Sequence, residues 1–114
     1  MATPTTAIVL VDPYNEFLHH EGKIYPGFAN TDLNYQLRQR GVTHLVMAGM
    51  IANTCLESTA RDARELGFHV TLLSDATAGF STEAKDAATN LIWPLIVENV
   101  TTVGDWVRES ESKA

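Results

Sequence analysis

Long apolar runs, cysteine and positive charge are all scarce in this sequence, and each scarcity excludes something. No stretch of the 114 residues approaches the roughly 18 apolar residues that a membrane-crossing helix needs. The opening MATPTTAIVLVDP has no basic flank, and its apolar run is too short for a secretory signal. A cytoplasmic location is therefore the expectation. The single cysteine, Cys55, excludes an internal disulfide and suits a reducing compartment. Lys and Arg total 8 against 14 Asp and Glu, giving a formal charge of -6. Cations this few and scattered do not form the patch that nucleic acid or an anionic membrane rewards, so neither is expected as a partner. There is no glycine-rich dinucleotide fingerprint and no phosphate loop. His19 and His20 adjoin Glu21, but neighbouring residues rarely face one metal and no further ligand stands at zinc-site spacing. No metal and no cofactor are expected.

What is present is a periodic alternation of buried strands and amphipathic helices. Hydrophobic residues make up 45% and charged residues 19%, and a chain of this length predicts one globular domain over residues 1–114. The continuous apolar runs TAIVLV (6–11) and VTHLVMA (42–48) read as strands buried on both faces of a parallel sheet. HVTLL (69–73) reads as a third strand, and a short fourth falls near 99–103. Between them, residues 32–40 read as a helix capped by Asn30 or Thr31 and stopped by Gly41. NTCLESTARDARELG reads as a second helix, with Asn53 or Thr54 as its cap, Glu57 in capping-box register with Thr54, and Gly67 as its stop. Residues 13–30 and 74–80 read as loops. Ser81 opens a helix over 82–92 that Pro94 breaks. A last helical turn runs through Trp106, and the polar tail RESESKA is expected to fray. Strand–helix alternation of this kind predicts an α/β fold: a Rossmann-like open parallel sheet of about four strands with helices on both faces.

In such a sheet, ligands bind beyond the carboxyl ends of the strands. Asp12 and the Gly49–Cys55 segment both fall there. Cys55 in the first turn of a helix would have backbone N–H groups and the helix dipole beside it, which favour a thiolate and could hold a developing oxyanion. The alternative is that Cys55 is a small buried hydrophobe. Asp12, at a strand end before Pro13, reads either as a turn former or as the proton acceptor for that thiol. His44 and His69 stand at strand starts, the wrong end for a site. Asp75 and residues 76–80 read first as loop organisers and second as pocket wall. Trp93 and Trp106 read as packing or interface residues.

The segments VLVDPYNEFL, GFANTDLNYQLRQRGVTHLVMAG and GMIANTCLESTARDARELGFHVTLLSDATAGFS resemble, in pieces that together cover nearly the whole chain, the isochorismatase-like (cysteine hydrolase) superfamily. The string Ile-Ala-Asn-Thr-Cys-x-Glu-x-Thr-Ala-Arg is far more specific than a lone cysteine. The resemblance implies that Cys55 is the nucleophile and Asp12 the acidic member of an Asp-Lys-Cys triad. It implies a non-proline cis peptide at Met50–Ile51, and an oxyanion hole made by the N–H groups of Ile51 and Cys55. It further implies hydrolysis of a C–N bond in an amide or related compound, or of the vinyl ether of isochorismate. Tyr14, Asn15, Phe17, Phe28 and Phe80 are the expected pocket wall. Those groups are mostly neutral, so a small neutral amide or planar acid amide is expected over a dicarboxylate.

One departure stands out. In the family, several dozen residues carrying two strands and the triad lysine separate the stretch matching EGKIYP from the one matching GFANTDL. Here Tyr25-Pro26 runs directly into Gly27-Phe28. No lysine matches the triad position, and Lys23 matches a surface loop. A catalytically impaired member, acting as a small-molecule-binding or interaction module, is the alternative expectation. Loss of the strands beyond the first would leave residues 6–11 at a sheet edge. A homodimer or higher oligomer is therefore expected, through that edge or through the surface carrying Trp93 and Trp106.

Overall fold

A computed structural model of the chain describes residues 6–11, 32–50, 52–79 and 81–112. Four parallel strands form its centre: β1 (Thr6–Val11), β2 (His44–Met50), β3 (His69–Ala78) and β4 (Asn99–Thr101). Their order in the sheet is β1-β2-β3-β4, with the first two adjacent and the rest following outward, as the sequence predicts. The helices are α1 (Leu33–Gln39), α2 (Glu57–Glu65), α3 (Thr82–Ala87), α4 (Trp93–Ile96) and α5 (Val103–Ser112).

The two faces of the sheet are unequal. Odd-numbered β1 and β2 residues and even-numbered β3 residues point to the main core. There Leu45, Met47, Val70 and Leu72 pack with Leu37 of α1, Ala60 and Ala63 of α2, and Trp93 of α4. The small residues of α2 let its backbone lie close to the strands. Trp93 is the largest fully buried side chain, and its indole Nε1 finds no acceptor among the described residues. The opposite face carries Val46, Ala48 and Leu73, against which Trp106 of α5 packs. Three consecutive crossovers in one direction of hand place their helices on one side. Among the described helices, only the terminal α5 reaches the other.

Several local expectations need correction. β1 is not buried on both faces: Ile8 and Leu10 are 60% and 64% exposed, because no described helix lies over that half of the sheet. Residues 74–78 are strand rather than loop. From Met47↔Leu72 the pairing passes to Gly49↔Thr77, so β3 bulges out and then rejoins β2. The bulge turns Asp75 toward α5, where its carboxylate accepts the Val103 N–H at 2.8 Å. Asp75 thus has the organising role, and α5 continues to Ser112 rather than fraying after Trp106. α1 is preceded by Asp32, whose carboxylate accepts from the Gln36 side chain and caps no backbone group. Asn30 and Thr31 lie outside the described residues. Gly41 does stop α1, with φ 69.

Pro94 does not end its helix. Residues Ala88–Ile92 widen into a π-helical stretch, in which the Trp93 N–H donates to the Ala88 carbonyl. Regular α-geometry would clash the proline ring with the carbonyl four residues back, and the wider turn removes the conflict. Ser81 is the cap expected of it: its Oγ accepts the Ala84 N–H at 3.1 Å. Ser81→Ala is expected to cost about 1 kcal/mol, seen as a fall of about 4 °C in Tm by circular dichroism. An unchanged Tm would show that this cap contributes nothing.

Candidate functional site

The carboxyl ends of β1 and β2 are held together by a glycine. Val11 pairs with Gly49, which has φ 118. A Cβ built on Gly49 would stand 2.0 Å from the Val11 carbonyl oxygen and under 3 Å from its carbonyl carbon and nitrogen. Only a residue without a side chain permits that approach. Asp12 follows Val11 in the chain and lies outside the described residues, as do Tyr14, Asn15, Phe17, Phe28, Ile51 and Phe80. The Met50–Ile51 peptide and the Ile51 amide lie outside them for the same reason.

Cys55 is the candidate residue that the structure does place. After Met50 the chain turns into a five-residue π-helical segment, Ala52–Leu56, and then into α2. α2 is entered from Leu56 in helical geometry, and the side chains of Asn53 and Thr54, the expected caps, lie outside those described. Cys55 is therefore in the wide turn ahead of the regular helix. It is 1% exposed, in the same core cluster as Ala52, Leu56, Ala60 and Trp93. Its carbonyl accepts the Thr59 hydroxyl at 2.7 Å. Thr59 is itself fully buried, so this bond satisfies a hydroxyl that would otherwise be costly to bury.

One further residue bears on this turn, and another stands at the end of β3. The sequence string contains Thr59, but its hydrogen bond to the Cys55 carbonyl follows only from four-residue spacing on a buried face. Lys85, half-buried on α3, has its Cβ 3.4 Å from where a Gly79 Cβ would sit, at the end of β3. It is the one lysine among the described residues.

Other titratable groups gather at the opposite end of the sheet. The His44 and His69 rings stack with centroids 4.6 Å apart. His69 Nδ1 lies 2.8 Å from a Glu98 carboxylate oxygen, and Arg64 pairs with the same carboxylate. This cluster is about half exposed, so its ion pairs add little stability. A groove of about 470 Å³ also opens at that end, between α5 and the amino halves of the strands, lined in part by Ile8, His44, Asn99 and Trp106. It does not include Cys55. Among the described residues, no three His, Cys, Asp or Glu side chains are arranged to hold a metal, and no helix is long and apolar enough to cross a membrane.

Comparison with known proteins places this arrangement in context. The profile of the isochorismatase domain matches residues 10–105. An uncharacterised isochorismatase family protein, YwoC of Bacillus subtilis (strain 168), is 41% identical over 75 residues, covering 66% of this chain and 40% of the relative. The ureidoacrylate amidohydrolase RutB of Variovorax paradoxus (strain S110) is 40% identical over 84 residues, covering 74% of this chain and 33% of the enzyme. Among solved structures, a cysteine hydrolase from Pseudomonas syringae pv. phaseolicola 1448A superposes with a TM-score of 0.72 at 32% identity, over 80% of this chain and 47% of that one. The chain spans less than half the length of each of these proteins.

Proposed function

Since the chain belongs to the isochorismatase domain family, we propose that it is a thiol hydrolase of a small amide-type C–N bond, with Cys55 as nucleophile and Asp12 as its base. The observation that carries the reading is the placement of Cys55 in the turn that leaves the carboxyl end of β2, the strand whose Gly49 is locked to Val11 of β1. The similarity to an amidohydrolase of a ureido compound supports the C–N bond as target.

In this reading the Cys55 sulfur attacks the substrate carbonyl carbon, and Asp12 accepts the thiol proton. The N–H groups of Ile51 and Cys55 hold the oxyanion of the tetrahedral intermediate. The C–N bond then breaks, the nitrogen leaves carrying the proton, and a thioester remains on Cys55. Water attacks the thioester, releasing the acid and restoring the thiol. Tyr14, Asn15, Phe17, Phe28 and Phe80 form the wall around a small neutral amide, which needs no counter-charge. We extend the reading to cytoplasmic action on a small molecule by a homo-oligomer, with no metal or cofactor.

A second reading is favoured by a specific observation. The chain spans 33% of the amidohydrolase it resembles, and on the resemblance none of its lysines takes the place of the family's triad cation. A chain so shortened could bind a small molecule or a protein partner without turnover. One experiment separates the two. The purified chain is incubated with a panel of ureido compounds and neutral aromatic amides, and ammonia release and the intact protein mass are followed together. The hydrolase reading expects ammonia, with a transient mass increase equal to one acyl group on Cys55. Binding of a panel member with neither signal would overturn it in favour of the second reading.

A further inference from the structure

The sheet ends in two edge strands, β1 and the three-residue β4, and nothing among the described residues closes the longer of them, β1. Among the described residues β1 pairs only with β2, and it lies at the end of the strand order. Proteins usually guard such an edge with lysine, proline, a bulge or a short strand. β1 has none of these. Its six residues, TAIVLV, are regular along their full length and carry no charge. Two large side chains on this strand, Ile8 and Leu10, are 60% and 64% exposed on the face that α5 leaves uncovered. The two tryptophans do not offer an alternative surface, since Trp93 is fully buried and Trp106 packs inward on Val46, Ala48 and Leu73.

We propose that β1 pairs antiparallel with β1 of a second copy about a twofold axis through Val9, joining two four-stranded sheets into one of eight. The occupant is argued from the strand itself. A molecule of formal charge -6 repels its copies least where it is uncharged, and residues 6–11 contain no charged side chain. A twofold pairing must set residues of one face opposite one another, which restricts the registers. With Val9 on the axis, Ile8 of each copy stands opposite Leu10 of the other. The two exposed apolar residues therefore cover each other twice on one face. On the other face Val9 meets Val9 and Ala7 meets Val11, so the cores of the two copies become continuous. Such an interface is isologous and closed, and it ends at a dimer instead of growing into a fibre. It stands on the sheet topology and does not depend on the assignment of the nucleophile.

The register makes a sharp test, because Ile8 and Leu10 are exposed and can be changed without disturbing the core. The full chain is expected to sediment at twice its 12.5 kDa mass at micromolar concentration. The double variant Ile8→Lys/Leu10→Lys sets lysines opposite lysines, and its dissociation constant is expected to rise roughly 100-fold. The variant Ile8→Lys/Leu10→Glu sets opposite charges against each other in this register and is expected to remain a dimer. Thermal melts of both variants check that each copy is folded. A wild-type chain sedimenting as a monomer overturns the proposal and leaves the edge to a strand from another source. So does a dimer that both variants leave intact, or that both disrupt equally.

Discussion

A Gly49→Ala variant is expected to lose on the order of 4 kcal/mol of stability, seen as a fall in Tm of roughly 15 °C. The new methyl group would meet the Val11 carbonyl oxygen at 2.0 Å. That atom is backbone, so no rotamer change relieves the contact. The φ of 118 adds strain for any residue with a side chain. The structure can respond only by parting the ends of β1 and β2 or by turning the 49–50 peptide, and both break the Val11–Gly49 pairing. Gly104 in α5 is the control. A Cβ there meets nothing closer than an Arg108 nitrogen at 3.6 Å, and Gly104→Ala is expected to stabilise by up to about 1 kcal/mol, as alanine does in a helix. Gly49→Ala melting within a few degrees of wild type would mean that the close approach of the two strands does not exist in solution.

Cys55→Ala is expected to separate chemistry from folding. The side chain is 1% exposed, and replacing it removes a single sulfur atom from a packed cluster, a loss of about 1–2 kcal/mol. The Thr59 hydroxyl keeps its acceptor, because that acceptor is the backbone carbonyl of residue 55. Under the proposed mechanism, turnover of an amide substrate should nevertheless fall by at least about 10³-fold, since no other group can form the covalent intermediate. Cys55→Ser, close to the original volume, should be similarly slow while melting near wild type. The measurement is kcat beside Tm for all three proteins. Were Cys55 only a packing residue, activity would decline in step with stability, and a variant retaining a tenth of the wild-type rate would end the nucleophile assignment.

The parts of this molecule that show in its sequence are those fixed by neighbours in the chain. β1, β2 and the first half of β3 announce themselves as apolar runs, and Ser81 announces its helix by capping chemistry. Parts fixed by distant partners do not. The strand character of Ser74–Ala78 comes from pairing with Gly49 and Met50, which a polar local sequence hides. TAIVLV reads the same whether one face or both are covered, so the exposure of Ile8 and Leu10 depends on what lies above them. Pro94 forbids an α-helix but not a wider one, and the widening is invisible in the letters. At the candidate site, Cys55 is singled out by the string around it. Gly49 is not, because its need for a missing side chain arises from Val11, 38 positions away in the chain.

The strands lie in space in the order in which they are made, and this bears on synthesis. A ribosome delivers β1 first, and every later strand finds its partner already present. The sheet can grow from one side, each strand adding to the one made before it. The thiol-bearing turn emerges between the second and third strands. The cluster that encloses it is completed only when Trp93 and Val97 arrive. Until then Cys55 lacks the packing that leaves it 1% exposed in the folded chain.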